Sequence, residues 1–198
     1  MMQKPDYMAF LLRVSRSDRF HVRLWDTTNK LGEFSRLLEK VEPEFLIIFA
    51  SDKQVPLVHQ ILNTKNIKHS QFTCEESFEE RQRIIDQFEK KEARAIIAIM
   101  CLDEGVDIPR AERAVLMSSS TNPKQYIQRR GRLLRRHKDK EVAYIYDMIV
   151  IPAGPAGKDD QAIVKKEFER YVEFAGLAKN STESVNALYD SYRKLGVI

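Results

Sequence analysis

The chain has 198 residues, of which 43% are hydrophobic and 31% charged, with a net charge of +4 and a pI near 9.0. This composition fits a globular protein with an ordinary core, and two cysteines, Cys74 and Cys101, argue against a disulfide scaffold. No apolar run approaches membrane length and the start, MMQKPDYM, lacks a signal-peptide hydrophobic region, so we expect a cytoplasmic protein.

The N-terminal region does not identify one structural element. Residues 1–18 fit a linker or a short helix, and FHVRLW (20–25) alternates apolar and polar residues as an edge strand would. We therefore assign residues 1–25 to a linker or an edge element.

Short apolar runs recur through the middle of the chain and predict buried strands. The runs are FLIIFAS (45–51), RAIIAIM (94–100), RAVLMSS (113–119) and EVAYIYDMIV (141–150), with IKHSQF (67–72) as a weaker member. Uninterrupted apolar strands are typical of a sheet that is buried on both faces, which usually means parallel strands.

Amphipathic helical patterns lie between these runs. Two helix faces are formed by Leu31, Phe34, Leu37, Leu38 and Val41, and by Ile84, Ile85 and Phe88. Ser77 and Glu80 precede the second face with the spacing of a capping box. Alternating strands and helices predict an α/β domain with right-handed crossovers at about residues 26–150.

The C-terminal region has a different composition. IPAGPAGKDD (151–160) is rich in Gly and Pro and predicts a loop, and helical patterns follow at 160–178 and 182–195. Residues 151–198 are therefore predicted to contain a C-terminal helical extension.

The sequence contains no phosphate-binding P-loop. Gly154 and the Gly157-Lys158 pair are separated by two residues rather than four, and Asp159 stands where Ser or Thr is needed. Nothing resembles a metal-ligating Asp-Glu pair after a strand. The four histidines have no metal-ligand spacing, so we expect no metal site.

Positive charge is concentrated between Lys124 and Lys140. This stretch holds eight Lys or Arg residues and one acid, Asp139, whereas the rest of the chain is net negative. Arg132 and Arg135 are three residues apart and share a helix face with Gln128, so their guanidinium groups could clamp a polyphosphate. A solvated basic face is an equal alternative on charge alone.

The spacing of this segment resembles a known motif. QRRGRLLR (128–135) has the form Gln-Arg-x-Gly-Arg-x-x-Arg and resembles motif VI of superfamily 2 helicases. CLDEGVDIP (101–109) resembles motif V, FLIIFAS resembles motif IV, and FEERQRIIDQF (78–88) and TTNKLGEFSRLLE (27–39) resemble two helices of the same domain. In order and spacing, the chain resembles the C-terminal RecA-like domain of a DEAD/DEAH-type DNA helicase, most like the XPB-related and restriction-motor branch.

The resemblance implies a RecA-like, mostly parallel sheet with helices on both faces, acting as the second motor domain of an ATP-dependent helicase or translocase. Its partners would be DNA, with RNA as an alternative, and an N-terminal RecA-like domain that carries the P-loop and the Asp-Glu box. That domain would bind most of the ATP and Mg²⁺. We expect the chain to be monomeric and inactive as an ATPase on its own.

The resemblance also implies roles for individual residues. Arg132 and Arg135 match arginine fingers, which stabilise charge on the transferred phosphoryl group, and Gln128 matches a residue near the γ-phosphate. Asp107 matches a carboxylate at the nucleotide ribose. Arg129 is expected at the nucleotide and Gly105 permits close approach of the backbone to it.

Polar residues at other strand ends are expected to contact nucleic acid. Ser51 and Lys53 follow the run at 45–51 and Thr73 follows the run at 67–72, where hydroxyls and helix N-termini suit phosphate oxygens. Ordinary helix capping is an equal alternative for each. The alternative for the whole chain is a free-standing, non-catalytic module that binds nucleic acid or a motor partner.

Overall fold

The computed structural model describes residues 7–16, 28–73, 76–99, 108, 110–117, 137, 140, 142–152 and 158–194. The strands are β1 (Tyr7–Arg16), β2 (Leu46–Phe49), β3 (His69–Phe72), β4 (Ala95–Ala98), β5 (Arg113–Leu116) and β6 (Ala143–Pro152). The helices are α1 (Thr28–Lys40), α2 (Val55–Thr64), α3 (Phe78–Glu89), α4 (Lys158–Ala175) and α5 (Ser181–Lys194).

The six strands form one sheet in the order β1-β6-β5-β2-β4-β3, and every neighbouring pair is parallel. All four residues of β2 and of β4 are buried, as their continuous apolar runs predict. The predicted α/β fold with a mostly parallel sheet is confirmed, and β3, the weaker of the predicted strands, lies at one edge.

Helices cover both faces of the sheet, because successive side chains of each strand point to opposite sides. On one face, Leu46, Ile48 and neighbouring strand residues pack with α1 and α2. On the other face, Ile47, Phe49 and their neighbours pack with α3, α4 and α5. The predicted placement of helices on both faces is therefore confirmed.

Strand β1 corrects one interpretation of the N-terminal region. It pairs in parallel with β6 over ten residues, from Tyr7 opposite Ala143 to Arg16 opposite Pro152. Because β1 is an outer strand of the sheet, the edge-element alternative is confirmed for residues 7–16 and the linker and short-helix alternatives are wrong there. The possible strand at 20–25 lies outside the described residues.

The predicted capping box is present at the start of α3. The Ser77 hydroxyl accepts a hydrogen bond from the Glu80 N–H at 3.3 Å, and the Ser77 N–H donates to Glu80 Oε2 at 2.9 Å. Each residue thus satisfies a backbone donor that the helix itself leaves without a partner.

The two predicted C-terminal helices are also present, as α4 and α5. A buried ion pair joins α4 to the sheet: Arg170 donates to both carboxylate oxygens of Asp147 on β6, at 2.8 and 3.1 Å. Asp147 is 1% exposed.

Among the described residues, no helix has the length and apolar character that crossing a membrane requires.

Candidate nucleic-acid interface

Strands β2, β4 and β3 end at the same level, because Phe49, Ala98 and Phe72 are in register. The backbone continues the pairing for one more residue, with Ala50 N donating to Ala98 O at 3.1 Å and Ile99 N donating to Phe72 O at 3.2 Å. Ser51 and Thr73 therefore follow the carboxyl ends of β2 and β3, on the same side of the sheet, which we call its carboxyl edge. They are two strand spacings, or about 10 Å, apart.

The turn after β2 is fixed by an internal amide. The Ser51 N–H donates to Gln54 Oε1 at 3.0 Å, and the Ser51 carbonyl accepts from the N–H groups of Gln54 and Val55 at 2.8 and 3.1 Å. Gln54 is 3% exposed, whereas Lys53 is exposed. Hydrogen bonds therefore hold the backbone of the turn, and its two charged side chains, Asp52 and Lys53, are exposed to solvent.

At the end of β3, Thr73 is held by a carboxylate instead. The Thr73 N–H donates to Glu76 Oε2 and the Thr73 hydroxyl donates to Glu76 Oε1, each at 2.7 Å. Arg81 Nε donates to the Glu76 carbonyl at 3.0 Å. Two donors of one residue thus hold both oxygens of one carboxylate.

The start of α3 adjoins this turn. The backbone N–H of Ser77 holds the pKa of the Glu80 carboxyl below its ordinary value, so this cap is intact at neutral pH. Phe78, the first residue of α3, is 78% exposed. An exposed aromatic ring at this position can stack on a nucleic-acid base. The sequence analysis did not identify Phe78 as a candidate for such a contact.

A buried lysine at the same edge was also missed. Lys30 on α1 is 2% exposed, and its ammonium donates to the Met117 carbonyl at 2.7 Å. Met117 directly follows β5, so Lys30 anchors the chain where it leaves the sheet toward residues 125–136, the arginine-rich segment. One signal was available: Lys30 continues the apolar face of α1, four residues before Phe34 and seven before Leu37.

The residues expected at the nucleotide lie outside the described residues. They are Gly105, Asp107, Gln128, Arg129, Arg132 and Arg135. In the chain they follow β4 and β5, whose carboxyl ends form the edge that also carries Ser51 and Thr73. This is the edge at which open α/β sheets bind ligands. Their contacts with ATP stay a prediction, as do the nucleic-acid contacts of Ser51, Lys53 and Thr73.

Two histidines link α2 to the edge strand. His59 Nδ1 and His69 Nε2 are 2.7 Å apart, and His59 Nε2 lies 2.7 Å from Gln71 Oε1. Within the described part of the chain, His, Cys, Asp and Glu side chains form no group of three or more that could hold a metal ion. The pair therefore joins a helix to a strand through hydrogen bonds.

The chain matches a known protein family over more than half of its length. Residues 29–137 match the model of the helicase conserved C-terminal domain. The matched span includes α1 to α3, β2 to β5 and the arginine-rich segment.

Curated relatives include proteins that act on DNA and on RNA. The chain is 32% identical over 120 residues to a DNA 3'-5' translocase, XPB2, of Sulfurisphaera tokodaii, covering 61% of this chain and 26% of that protein. It is 24% identical over 165 residues to a DEAD-box ATP-dependent RNA helicase, RhpA, of Helicobacter pylori, covering 82% of this chain and 32% of the relative. The chain thus spans a third or less of the length of either relative.

Two solved structures illustrate the fold that this chain shares with other proteins. The C-terminal domain of the DEAD-box protein Dbp5 superposes with a TM-score of 0.60 at 18% identity, covering 84% of this chain and 85% of that one. The C-terminal part of the Fun30 ATPase domain superposes with a TM-score of 0.56 at 19% identity, covering 78% of this chain and 56% of that one. These likenesses show a shared fold.

Proposed function

Because the chain belongs to the helicase conserved C-terminal domain family of superfamily 2, we propose that it is the second motor domain of an ATP-dependent helicase or translocase that acts on DNA. The observation that carries the proposal is the family match over residues 29–137, which spans both the sheet edge and the arginine-rich segment.

The proposed nucleic-acid track follows the carboxyl edge of the sheet. Ser51 and Thr73 lie at level strand ends, and Lys53 is an exposed cation beside Ser51. Hydroxyls, backbone N–H groups and ammonium groups bind phosphate oxygens without reading the base sequence. A motor that moves along DNA needs contacts of this kind, because every step must meet an equivalent set of partners.

The proposed nucleotide contacts come from the arginine-rich segment and from the segment before β5. Arg132 and Arg135 would stabilise the charge that develops during phosphoryl transfer, with Gln128 near the γ-phosphate. Gly105, Asp107 and Arg129 would contact the rest of the nucleotide. ATP supplies the phosphoryl group whose transfer drives movement, and the fit of these residues to it is supported by their sequence spacing alone.

A second domain is part of the proposal. The 198 residues contain no P-loop and no Asp-Glu box, the elements that hold the β- and γ-phosphates and Mg²⁺ in such motors. An N-terminal RecA-like domain would supply both, and the arginines would complete the site across the cleft. We expect the isolated chain to turn over no ATP.

The similarity to a DNA translocase at 32% identity supports DNA as the track, whereas relatives named as RNA helicases are 24% to 26% identical. Oligo(dT) and oligo(U) single strands can be compared directly on the isolated chain.

The proposal is tested by fluorescence anisotropy of labelled oligo(dT) across a salt series. We expect weak binding. The logarithm of the association constant should fall linearly with the logarithm of salt concentration, with a slope of about −0.7 for each phosphate contacted. Mixed-sequence strands should bind with the same affinity. Tight, salt-insensitive or sequence-specific binding would favour a free-standing recognition module, and no binding to either DNA or RNA would refute the proposed track.

A further inference from the structure

Thr73 already holds an anion that belongs to the chain itself. Both of its donors, the backbone N–H and the hydroxyl, point at the two oxygens of the Glu76 carboxylate, at 2.7 Å each. Hydrogen bonds to a carboxylate are charge-assisted and are about twice as strong as neutral ones. The strand end that the proposed function assigns to a nucleic-acid phosphate is therefore occupied by a negative side chain.

The turn after β2, at the same edge, holds its strand end with a neutral group rather than with an anion. There the Ser51 N–H donates to a neutral amide oxygen, that of Gln54, which is buried and is the N-cap residue of α2. Glu76, in contrast, is only half-buried and lies one residue before Ser77, the N-cap of α3. A buried neutral group is a permanent part of the fold, whereas a half-buried carboxylate can rotate into water.

Releasing Glu76 would not unravel the helix next to it. The start of α3 is capped by Ser77 and Glu80, which satisfy each other's backbone N–H groups without using the Glu76 side chain. Arg81 contacts the Glu76 main-chain carbonyl rather than its carboxylate. The carboxylate can therefore leave Thr73 with the loss of two hydrogen bonds and little else.

A carboxylate and a phosphodiester compete for the same donors, because both present anionic oxygens at hydrogen-bond distance. We propose that Glu76 acts as an internal competitor of the nucleic-acid backbone: it occupies the phosphate position at Thr73 in the free protein and must be displaced when a strand binds. This inference rests on the proposed function, since it names the regulation of the same interface.

The competition weakens binding in two ways. The carboxylate blocks two donors, and its charge repels an approaching phosphate until it moves away. Glu76→Gln keeps the size and the oxygen acceptor while removing the charge, so it should weaken the block without opening a cavity. Glu79→Gln is the matched control. Glu79 is an exposed acid three residues further along, in the first turn of α3, and this substitution removes the same charge nearby.

The test measures the affinity of the full chain for fluorescein-labelled oligo(dT) by anisotropy at low salt. We expect Glu76→Gln to tighten binding by about three- to tenfold, the size of one or two hydrogen bonds, and Glu79→Gln to change it by less than about twofold. An equal gain in both variants would overturn the inference, because it would show a general effect of charge.

Thr73→Val supplies the second arm, since it removes the hydroxyl at nearly constant shape. Measured against Thr73→Val alone, Glu76→Gln should give little of the affinity that it gains when the hydroxyl is present. Glu79→Gln should change affinity by the same small factor with and without the Thr73 hydroxyl. If Glu76→Gln tightens binding equally with and without the Thr73 hydroxyl, the competition is not at Thr73 and the inference fails. Oligo(dT) binding by the wild type with no response to Glu76→Gln would refute the competitor alone and leave the proposed function standing.

Discussion

Two carboxylates in this domain are each held by two donors of a single residue, yet their surroundings differ. Asp147 on β6 is 1% exposed and is bound by the guanidinium of Arg170 from α4. Glu76 is half-buried at the sheet edge and is bound by Thr73, three residues away. A buried charge cannot lose its partner without being left in a low-dielectric interior, whereas a carboxylate at the surface can exchange its partner for water. The first pair therefore joins two elements permanently, and the second is suited to exchange.

Removing the guanidinium that binds the buried carboxylate should give the largest loss of stability. Arg170→Met keeps most of the side-chain volume but removes the ion pairs with the buried Asp147 and with Glu167, which lies 3.0 Å from the guanidinium, so the free energy of unfolding should fall by about 3–5 kcal/mol. The measurement is urea denaturation followed by circular dichroism.

Lys165→Met is the matched control for that change. Lys165 lies on the same helix, is 77% exposed and stands 3.9 Å from Glu169, so its loss should change stability by less than about 0.5 kcal/mol. If Arg170→Met were as mild as Lys165→Met, the ion pair would not hold α4 to the sheet.

The capping box next to Glu76 should give a smaller effect that separates stability from binding. Ser77→Ala should lower the free energy of unfolding by about 1 kcal/mol, because the first turn of α3 loses its side-chain cap. Since Ser77 does not contact Thr73 through its side chain, oligo(dT) affinity should stay within about twofold of the wild type.

The acid dependence of that difference provides an internal check. The pKa of Glu80 is lowered first by the Ser77 backbone N–H, which alanine keeps, and next by the Ser77 side chain, which alanine removes. The side-chain contribution is present above the ordinary value of 4.5 and is lost as pH falls through the lower folded value. The difference in the free energy of unfolding between Ser77→Ala and the wild type should therefore narrow over this acidic range. A difference that stays constant in acid would mean that the Ser77 side chain does not stabilise the ionised Glu80 carboxylate.

Much of the fold could be predicted because its signals are local. Strands β2, β4 and β5 are continuous apolar runs, and the Ser77–Glu80 capping box is a pattern of four consecutive positions. Helix α2 was not delimited, although its buried residues Val55, Val58 and Leu62 have helical spacing.

The features that sequence reasoning missed depend on contacts between distant segments or on a side chain's orientation. The conformation of β1 is set by pairing with β6, more than a hundred residues later in the chain. The contact of Lys30 with the Met117 carbonyl joins α1 to the end of β5 in the same way. Thr73 and Glu76 are close in sequence, but their spacing does not show that the carboxylate turns back onto Thr73. Local patterns predicted which residues lie at the carboxyl end of the sheet. They did not predict that the hydrogen-bond donors of Thr73 already bind Glu76.

The central claim is that this chain completes the ATP site of a two-domain motor, and three single substitutions in that motor test it most directly. Arg132→Ala and Arg135→Ala should each lower the kcat of DNA-stimulated ATP hydrolysis by about 10³–10⁵ while DNA affinity stays nearly unchanged, because an arginine finger acts mainly on the transition state. Lysine at either position should not restore the rate, since a point charge cannot reproduce the guanidinium fork. Arg136→Ala removes the same charge from the same basic segment and should cost far less. If all three variants lost activity equally, and lost DNA binding in proportion, the segment would be a nucleic-acid surface and the claim would be contradicted.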